Sequence, residues 1–362
     1  MLLIPIGLAV VVVVPVAVRA KADFSAWTPS TVTAPNGAKN LVGNTAWTAW
    51  FKNGNQDLRR QAQPEITRCT GPTSNVWGAS FDDGPAEGTP VLLDYFDKKN
   101  LQATFWVIGA HVAKRPELLL RAYQSGHQIG IHTWTHPRLR EISDDEIIAE
   151  LVYSARAVYA VIGVYPKYFR PPYGNVDDRV RNLAALVGMT SVLWSKDSQD
   201  WQNTHSASLN TVVPSNFRTW LSSGSMLDIS LQHDLEQDEG QVAVTAMNML
   251  LDAGRVIKPL SECIGDDTPY DNPILSRFFE ASGLYTDRWG TNDFEFDRNA
   301  LSSATSTAIA SISATSFNTA TATATQTLVV AADAVVKTET KSSTGGSVVV
   351  TSWLIMLLVL LF

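Results

Sequence analysis

The chain is poor in cysteine, has no excess of positive charge, and contains no Asn-X-Ser/Thr sequence at all. Each shortage excludes something. Two cysteines, Cys69 and Cys263, in 362 residues cannot build a multi-bridge scaffold. In a secreted chain they read as one disulfide tying the start of a domain to its end; two buried free thiols are the alternative. With 28 Lys and Arg against 35 Asp and Glu, the net charge is −7 and the pI about 5.4. No basic patch offers itself to a phosphate backbone, so nucleic acid is not an expected partner. Without a sequon, N-glycans are not expected either. Long apolar runs are confined to the two ends.

Those ends read as processing signals. Residues 2–18 are uncharged and almost wholly apolar, and small residues follow at Ala20 and Ala22, so 1–20 reads as a secretory signal peptide, with an uncleaved anchor as the alternative. Residues 347–362 form an apolar tail with nothing polar after it, preceded by small residues among which Ser342, Ser343 and Gly345 are candidate attachment sites for a GPI anchor. A tail-anchored helix is the alternative, though the run is short for a span of about 20 residues. Residues 301–346 are Ser, Thr and Ala with little else, a stalk that cannot bury a core and is suited to O-glycosylation. The expected location is therefore secreted, at the cell membrane through a GPI anchor, or in the cell wall.

Between the ends, 21–68 is polar and Gly/Asn/Pro-rich, with an aromatic cluster at Trp47, Trp50 and Phe51, and reads as a surface-wrapping extension. From residue 76 apolar runs alternate with amphipathic periods. Strands are expected at 76–81, 103–108, 128–132, up to 170, at 190–194 and at 226–232; helices at 89–99, 116–125, 144–162, 176–186 and 239–253. The fold class is α/β, a parallel sheet or (β/α) barrel in which residues just after each strand gather on one face. The eleven tryptophans would mostly be core, with some left for stacking on sugars.

Chemistry-bearing residues recur at those strand ends. Asp82 and Asp83 follow the first strand; alone they are as well read as a turn, Asp-Gly-Pro being good turn chemistry. Adjacent residues at a strand end point in different directions, so one carboxylate can hold a metal while the other faces a water. His132 and His136 end the third strand at a helix-like spacing that a loop can also bring together. Two imidazoles and a carboxylate make an open three-ligand centre suited to Zn²⁺. Arg170 precedes the rigid turn Pro171-Pro172-Tyr173-Gly174; it can clamp a carboxylate, and the Tyr173 amide can face an oxyanion. Trp194, then Asp197 to Trp201 (including Asp200), put acids and aromatics on one loop. His233 and Asp234 follow the apolar run that contains Leu231. Taken singly, each has a structural reading as well.

In this order the five segments around Asp82, His132, Arg170, Trp194 and His233 resemble the motifs of the polysaccharide deacetylase family, also called the NodB-homology domain or carbohydrate esterase family four. The likeness covers 69–265, and is greatest to fungal chitin deacetylases. It implies a distorted (β/α) barrel of that type as a single catalytic domain, with 266–300 as a C-terminal extension. It implies Asp82 as general base oriented by Arg170; Asp83, His132 and His136 as ligands of Zn²⁺, with Co²⁺ or another divalent metal as substitutes; and His233 as general acid tuned by Asp200. Tyr173, Trp194, Leu231 and Trp201 are the implied substrate contacts. The implied reaction is metal-dependent hydrolysis of the N-acetyl groups of chitin or chito-oligosaccharides by a monomer. Another acetylated polysaccharide (peptidoglycan or acetylxylan) and a non-catalytic chitin-binding wall protein are the competing readings.

Overall fold

The structure, a computed structural model, describes residues 31–33, 39–53 and 61–282. The expected leader at 1–20, the stalk, the apolar tail and the candidate attachment residues Ser342, Ser343 and Gly345 lie outside them. Among the described residues no helix is long and apolar enough to cross a membrane.

A short antiparallel pair, β1 (Thr31–Thr33) and β2 (Lys39–Leu41), leads into α1 (Thr45–Asn53). The alternating part then runs β3 (Val76–Asp82), α2 (Thr89–Lys99), β4 (Thr104–Val107), α3 (Gly109–Lys114), α4 (Pro116–Gln124), β5 (Gln128–Ile131), α5 (Asp144–Ile162), β6 (Tyr168–Phe169) and α6 (Asp178–Leu186). It continues β7 (Thr190–Ser191), β8 (Lys196–Asp197), α7 (Leu209–Ser222), β9 (Ile229–His233), α8 (Gln237–Asp252), β10 (Val256–Lys258), α9 (Leu260–Ile264) and α10 (Pro273–Ser282). The well-signalled helices begin and end where their caps require. In α5, Ser143 and Glu146 form a capping box, three acids occupy the first turn, and Gly163 closes the helix at φ 76°.

The main sheet is parallel in every pairing, in the order β7-β6-β5-β4-β3-β9-β8, with β10 on the first half of β3. All seven residues of β3 are buried, as a strand covered on both faces requires. The two ends of this order, β7 and β8, are consecutive in the chain. Ser191 and Lys196 can be at most about 18 Å apart along the chain, whereas seven flat strands would span about 29 Å. The sheet therefore curls until its edges approach, giving the distorted (β/α) barrel expected. Ile66 pairs along the β7 edge, its amide donating to Ser191 O and its carbonyl accepting from Leu193 N, and two residues on Arg68 pairs with Asp228 just before β9.

Four expectations are corrected. The stretch 190–194 is not one strand: β7 ends at Ser191, and β8 starts on the opposite edge at Lys196. No helix is expected between the strands at 190–194 and 226–232, yet α7 lies there, with Pro214 inside and no side-chain cap. The helix α3 was not expected at all. The N-terminal extension, for which no element is expected, contributes β1, β2 and α1; its Leu41 and Phe51 are buried, and the Phe51 ring stacks on Phe278 of α10 at 4.6 Å. Cys69 and Cys263 form a disulfide, closing the start of the alternating part onto α9.

Candidate active site

Because every pairing in the sheet is parallel, its C-terminal strand ends share one rim, and the polar segments collect there. Asp82 is the last residue of β3 and sits opposite His233, the last of β9, in the strand register. Asp83 follows with φ 79°, a left-handed turn that sends its side chain away from Asp82's. His132 leaves β5 and His136 lies in the turn beyond it. Thr133 (φ 64°) and His136 (φ 60°) are both left-handed, so the two imidazoles meet from a tight loop and not from a helix.

Asp83 Oδ1 is 3.4 Å from His132 Nε2 and 3.3 Å from His136 Nε2, and the two ring nitrogens face each other at 3.2 Å. His132 Nδ1 donates to Arg170 O at 2.8 Å, which leaves Nε2 as the lone-pair nitrogen. Burial, then the neighbouring His136, holds the His132 pKa well below its usual value, and burial lowers that of His136 too. Asp83 Oδ1 is buried with no hydrogen-bond partner. Electron-pair donors converging on one point, one of them an orphaned carboxylate oxygen, fit a divalent cation, and these three residues are the cluster of metal-ligand type found among the described residues. Beside them, His111 Nδ1 donates to Asp83 O at 2.7 Å, fixing the backbone of that ligand.

Asp82 faces a different set of groups. Arg170, fully buried at the end of β6, donates through Nη1 to Asp82 Oδ1 at 2.7 Å and through Nη2 to Leu193 O at 3.0 Å. Its guanidinium lies over the rings of Trp106 and Trp194 at 4.8 and 5.6 Å. Burial raises the Asp82 pKa to about 6, against the opposing pull of Arg170 and His233. His233 Nδ1 donates to Asp200 Oδ1 at 2.8 Å, and its backbone amide donates to Asp200 Oδ2 at 2.8 Å. Burial works against charge on this imidazole, but the Asp200 carboxylate and its hydrogen bond, with Asp83 and Asp82 nearby, outweigh it and raise the pKa to about 10. The centre thus holds a carboxylate close to neutrality and an imidazole that stays protonated across the physiological range.

Around them, the exposed Tyr173 ring, on the turn after β6 at φ 59°, lies 4.7 Å from the His136 ring, and the Arg138 guanidinium sits over the Tyr173 ring at 4.4 Å. Leu231 is buried on β9, two residues before His233 and therefore on the same face. Trp201 is 53% exposed beside Asp200, which accepts its backbone N–H. Asp197 takes no part in the His233 contact: it caps the Gln199 amide. The sequence pointed to neither His111 nor Glu150 behind the loops; Asp234, singled out there beside His233, is fully buried and accepts from the Thr89 hydroxyl. The one available signal was an acid inside the apolar stripe of α5, where Glu150 lies among Ile147, Ile148, Leu151 and Val152.

Fold and site together define a curled parallel half-barrel with a candidate divalent-metal centre on the rim of its strand ends. Residues 70–192 match the family model described as polysaccharide deacetylase. It is 39% identical over 222 residues to chitin deacetylase 1 of Cryptococcus neoformans var. grubii, covering 57% of this chain and 47% of that one. The chain spans about half the length of the first curated relatives it matches. Among solved structures, it resembles the chitin deacetylase of the fungal pathogen Colletotrichum lindemuthianum with TM-score 0.53 at 25% identity, covering 57% of this chain and 94% of that one. It also resembles a peptidoglycan N-acetylglucosamine deacetylase with TM-score 0.50 at 26% identity, over 56% of this chain and 92% of that one.

Proposed function

We propose that this protein hydrolyses the N-acetyl groups of N-acetylglucosamine residues in chitin, yielding chitosan and acetate outside the cell. The observation that carries the proposal is the pairing of two differently tuned groups across adjacent strands: buried Asp82, near pH 6, and His233, near pH 10, beside an Asp-His-His cluster. Chitin deacetylases among the relatives support the choice of substrate.

Asp83, His132 and His136 would hold the divalent ion, zinc first and cobalt as a substitute. When bound, that ion supplies Lewis-acid polarisation of a carbonyl and a lowered pKa for water. The protein's own groups do the rest. Asp82, held by Arg170, takes the proton of the attacking water. The amide of Tyr173 donates to the carbonyl oxygen as negative charge grows there, a contact of a kind worth about 3 kcal/mol. His233, kept protonated by Asp200, gives its proton to the departing glucosamine nitrogen; the C–N bond breaks and acetate is released. No covalent enzyme intermediate is required. Leu231 meets the acetyl methyl, while Trp194 and the exposed Trp201 offer apolar faces to the sugar. The same reading makes the enzyme a secreted monomer held at the membrane or wall by a GPI anchor, with Ser342, Ser343 or Gly345 as the attachment residue.

Acetate release from defined N-acetylglucosamine oligomers, with and without chelator and added Zn²⁺, tests the reading. Chelator-sensitive release from chito-oligomers is expected. Release from peptidoglycan fragments alone would transfer the reading to the substrate of the second structural relative. Chitin binding with no acetate release under any condition would overturn the enzymatic reading.

A further inference from the structure

The loop that carries the two imidazoles has its backbone gripped from both sides. On one side, the first amides of α3 supply donors: Gly109 N–H to Thr133 O at 2.9 Å and Ala110 N–H to Trp134 O at 3.3 Å. On the other, the loop's own amides point to a single carboxylate. Glu150 Oε2 accepts from Trp134 N at 2.6 Å and from Thr135 N at 2.8 Å, and Oε1 accepts from the Thr135 hydroxyl. Glu150 also takes a backbone hydrogen bond from Leu41 of β2, which lies outside the segment matched by the family model. The carboxylate has no solvent exposure and sits mid-helix on α5, on a buried stripe with Ile147, Ser154 and Ala157.

Burying a carboxylate in such a stripe is costly, and an apolar residue of similar size would pack there without that cost. What the carboxylate provides is a fixed acceptor for consecutive amides lying between His132 and His136. The stretch from His132 to His136 contains two left-handed, non-glycine positions, Thr133 and His136 itself, a backbone shape that persists only when its surroundings over-determine it. The Thr133 hydroxyl adds one internal tie, accepting from His136 N at 3.1 Å. Glu150 and α3 supply the external ones.

We propose that Glu150 is a positioning residue of the metal centre: by holding the Trp134 and Thr135 amides it sets the approach of His132 and His136, and through Leu41 it links the N-terminal segment to that centre. The proposal rests on the reading of Asp83, His132 and His136 as metal ligands. Partners of this kind behind a ligand set typically change metal affinity about 10–100-fold when removed.

The test uses the full chain, stripped of metal and titrated with Zn²⁺ against a chromophoric chelator, with the visible spectrum of the Co²⁺-loaded protein as a second readout. Glu150→Gln keeps the size but replaces one acceptor with a donor facing donors. It should raise the Zn²⁺ Kd about 10–100-fold and shift the Co²⁺ absorption, while unfolding stays cooperative. Glu150→Asp, which keeps the charge on a shorter arm, should recover part of the affinity. Should Glu150→Gln fail to fold, Thr135→Val removes only the hydroxyl donor and should weaken Zn²⁺ binding in the same direction. His136→Ala separates the two levels of the argument. If His136→Ala loses Zn²⁺ binding while the folded Glu150→Gln and Thr135→Val proteins keep wild-type Kd and spectrum, the positioning role is refuted and the metal reading stands. If His136→Ala binds Zn²⁺ as tightly as wild type, the metal reading falls and this proposal with it.

Discussion

Arg170 Nη1 lies 2.7 Å from Asp82 Oδ1, and both side chains are almost completely withdrawn from water. A buried ion pair of this kind gains little net stability, since desolvation offsets much of the Coulombic attraction. Its value here is orientational: one carboxylate oxygen is engaged and the other is left toward the metal cluster, with Asp82 Oδ2 3.7 Å from His132 Nε2. Asp82→Asn keeps the shape and removes the base. Loss of about 10²–10⁴ in kcat is expected, with Zn²⁺ affinity nearly unchanged because the three candidate ligands are intact. Retention of near-native turnover by this variant would remove Asp82 from the mechanism.

Asp200 fixes the charge of His233, and the pH profile should show it. The folded-state pKa of His233 is raised to about 10, so the protonated acid is fully present at neutral pH and is lost as pH rises through about 10. In Asp200→Asn the largest favourable influence is gone and burial, which opposes the charge, remains. A pKa at or below the ordinary 6.5 would leave about 3% of the imidazole protonated at pH 8. The basic limb of kcat should therefore move down by several pH units, with activity surviving best on the acid side. An unshifted limb would show that another group sets it.

Much of this was legible in the sequence, for identifiable reasons. Two helices were readable to the residue where local chemistry signals both ends: α2, with Pro90 in its first turn and left-handed Asn100 at its end, and α5, with Ser143 and Gly163. The α7 helix was not legible, because Pro214 and a polar start mask a periodicity that packing on α8 supports. The β7/β8 split was hidden because 190–194 is a continuous apolar-rich run; β7 takes only its first two residues, and β8 begins beyond it, at Lys196, on the opposite edge of the curled sheet. Asp82, Asp83, His132 and His136 stood out because such residues rarely cluster after strands. His111 and Glu150 did not, since each acts through a backbone group distant in sequence and no spacing rule reports a tertiary contact.

Metal removal is the direct test of the Asp-His-His cluster. A strong chelator should abolish acetate release, and Zn²⁺ or Co²⁺ added in excess should restore it. Asp83→Ala should lower metal affinity without unfolding the protein, since Asp83 Oδ1 has no hydrogen bond to lose. Acetate release that persists in metal-stripped protein, verified by elemental analysis, would assign the cluster a structural role.

The disulfide should matter for stability and not for chemistry. Cys69 and Cys263 are separated by 194 residues, and opening so long a loop in the unfolded state costs the native state about 2–5 kcal/mol of relative stability. Its location argues that the effect stays local. Both cysteines are buried with Val76 at the start of β3 and Ile229 at the start of β9, at the opposite ends of these strands from Asp82 and His233. Backbone bonds from Thr70 and Gly71 to Cys263 O and from Cys69 N to Leu227 O hold the same junction without the bridge. The double variant Cys69→Ala/Cys263→Ala should therefore unfold at lower urea concentration, with an unfolding free energy reduced by that amount, yet keep wild-type kcat and Zn²⁺ affinity well below its midpoint. A parallel loss of metal affinity would instead mean that strain at the strand starts reaches the rim, and that the barrel does not insulate its two ends.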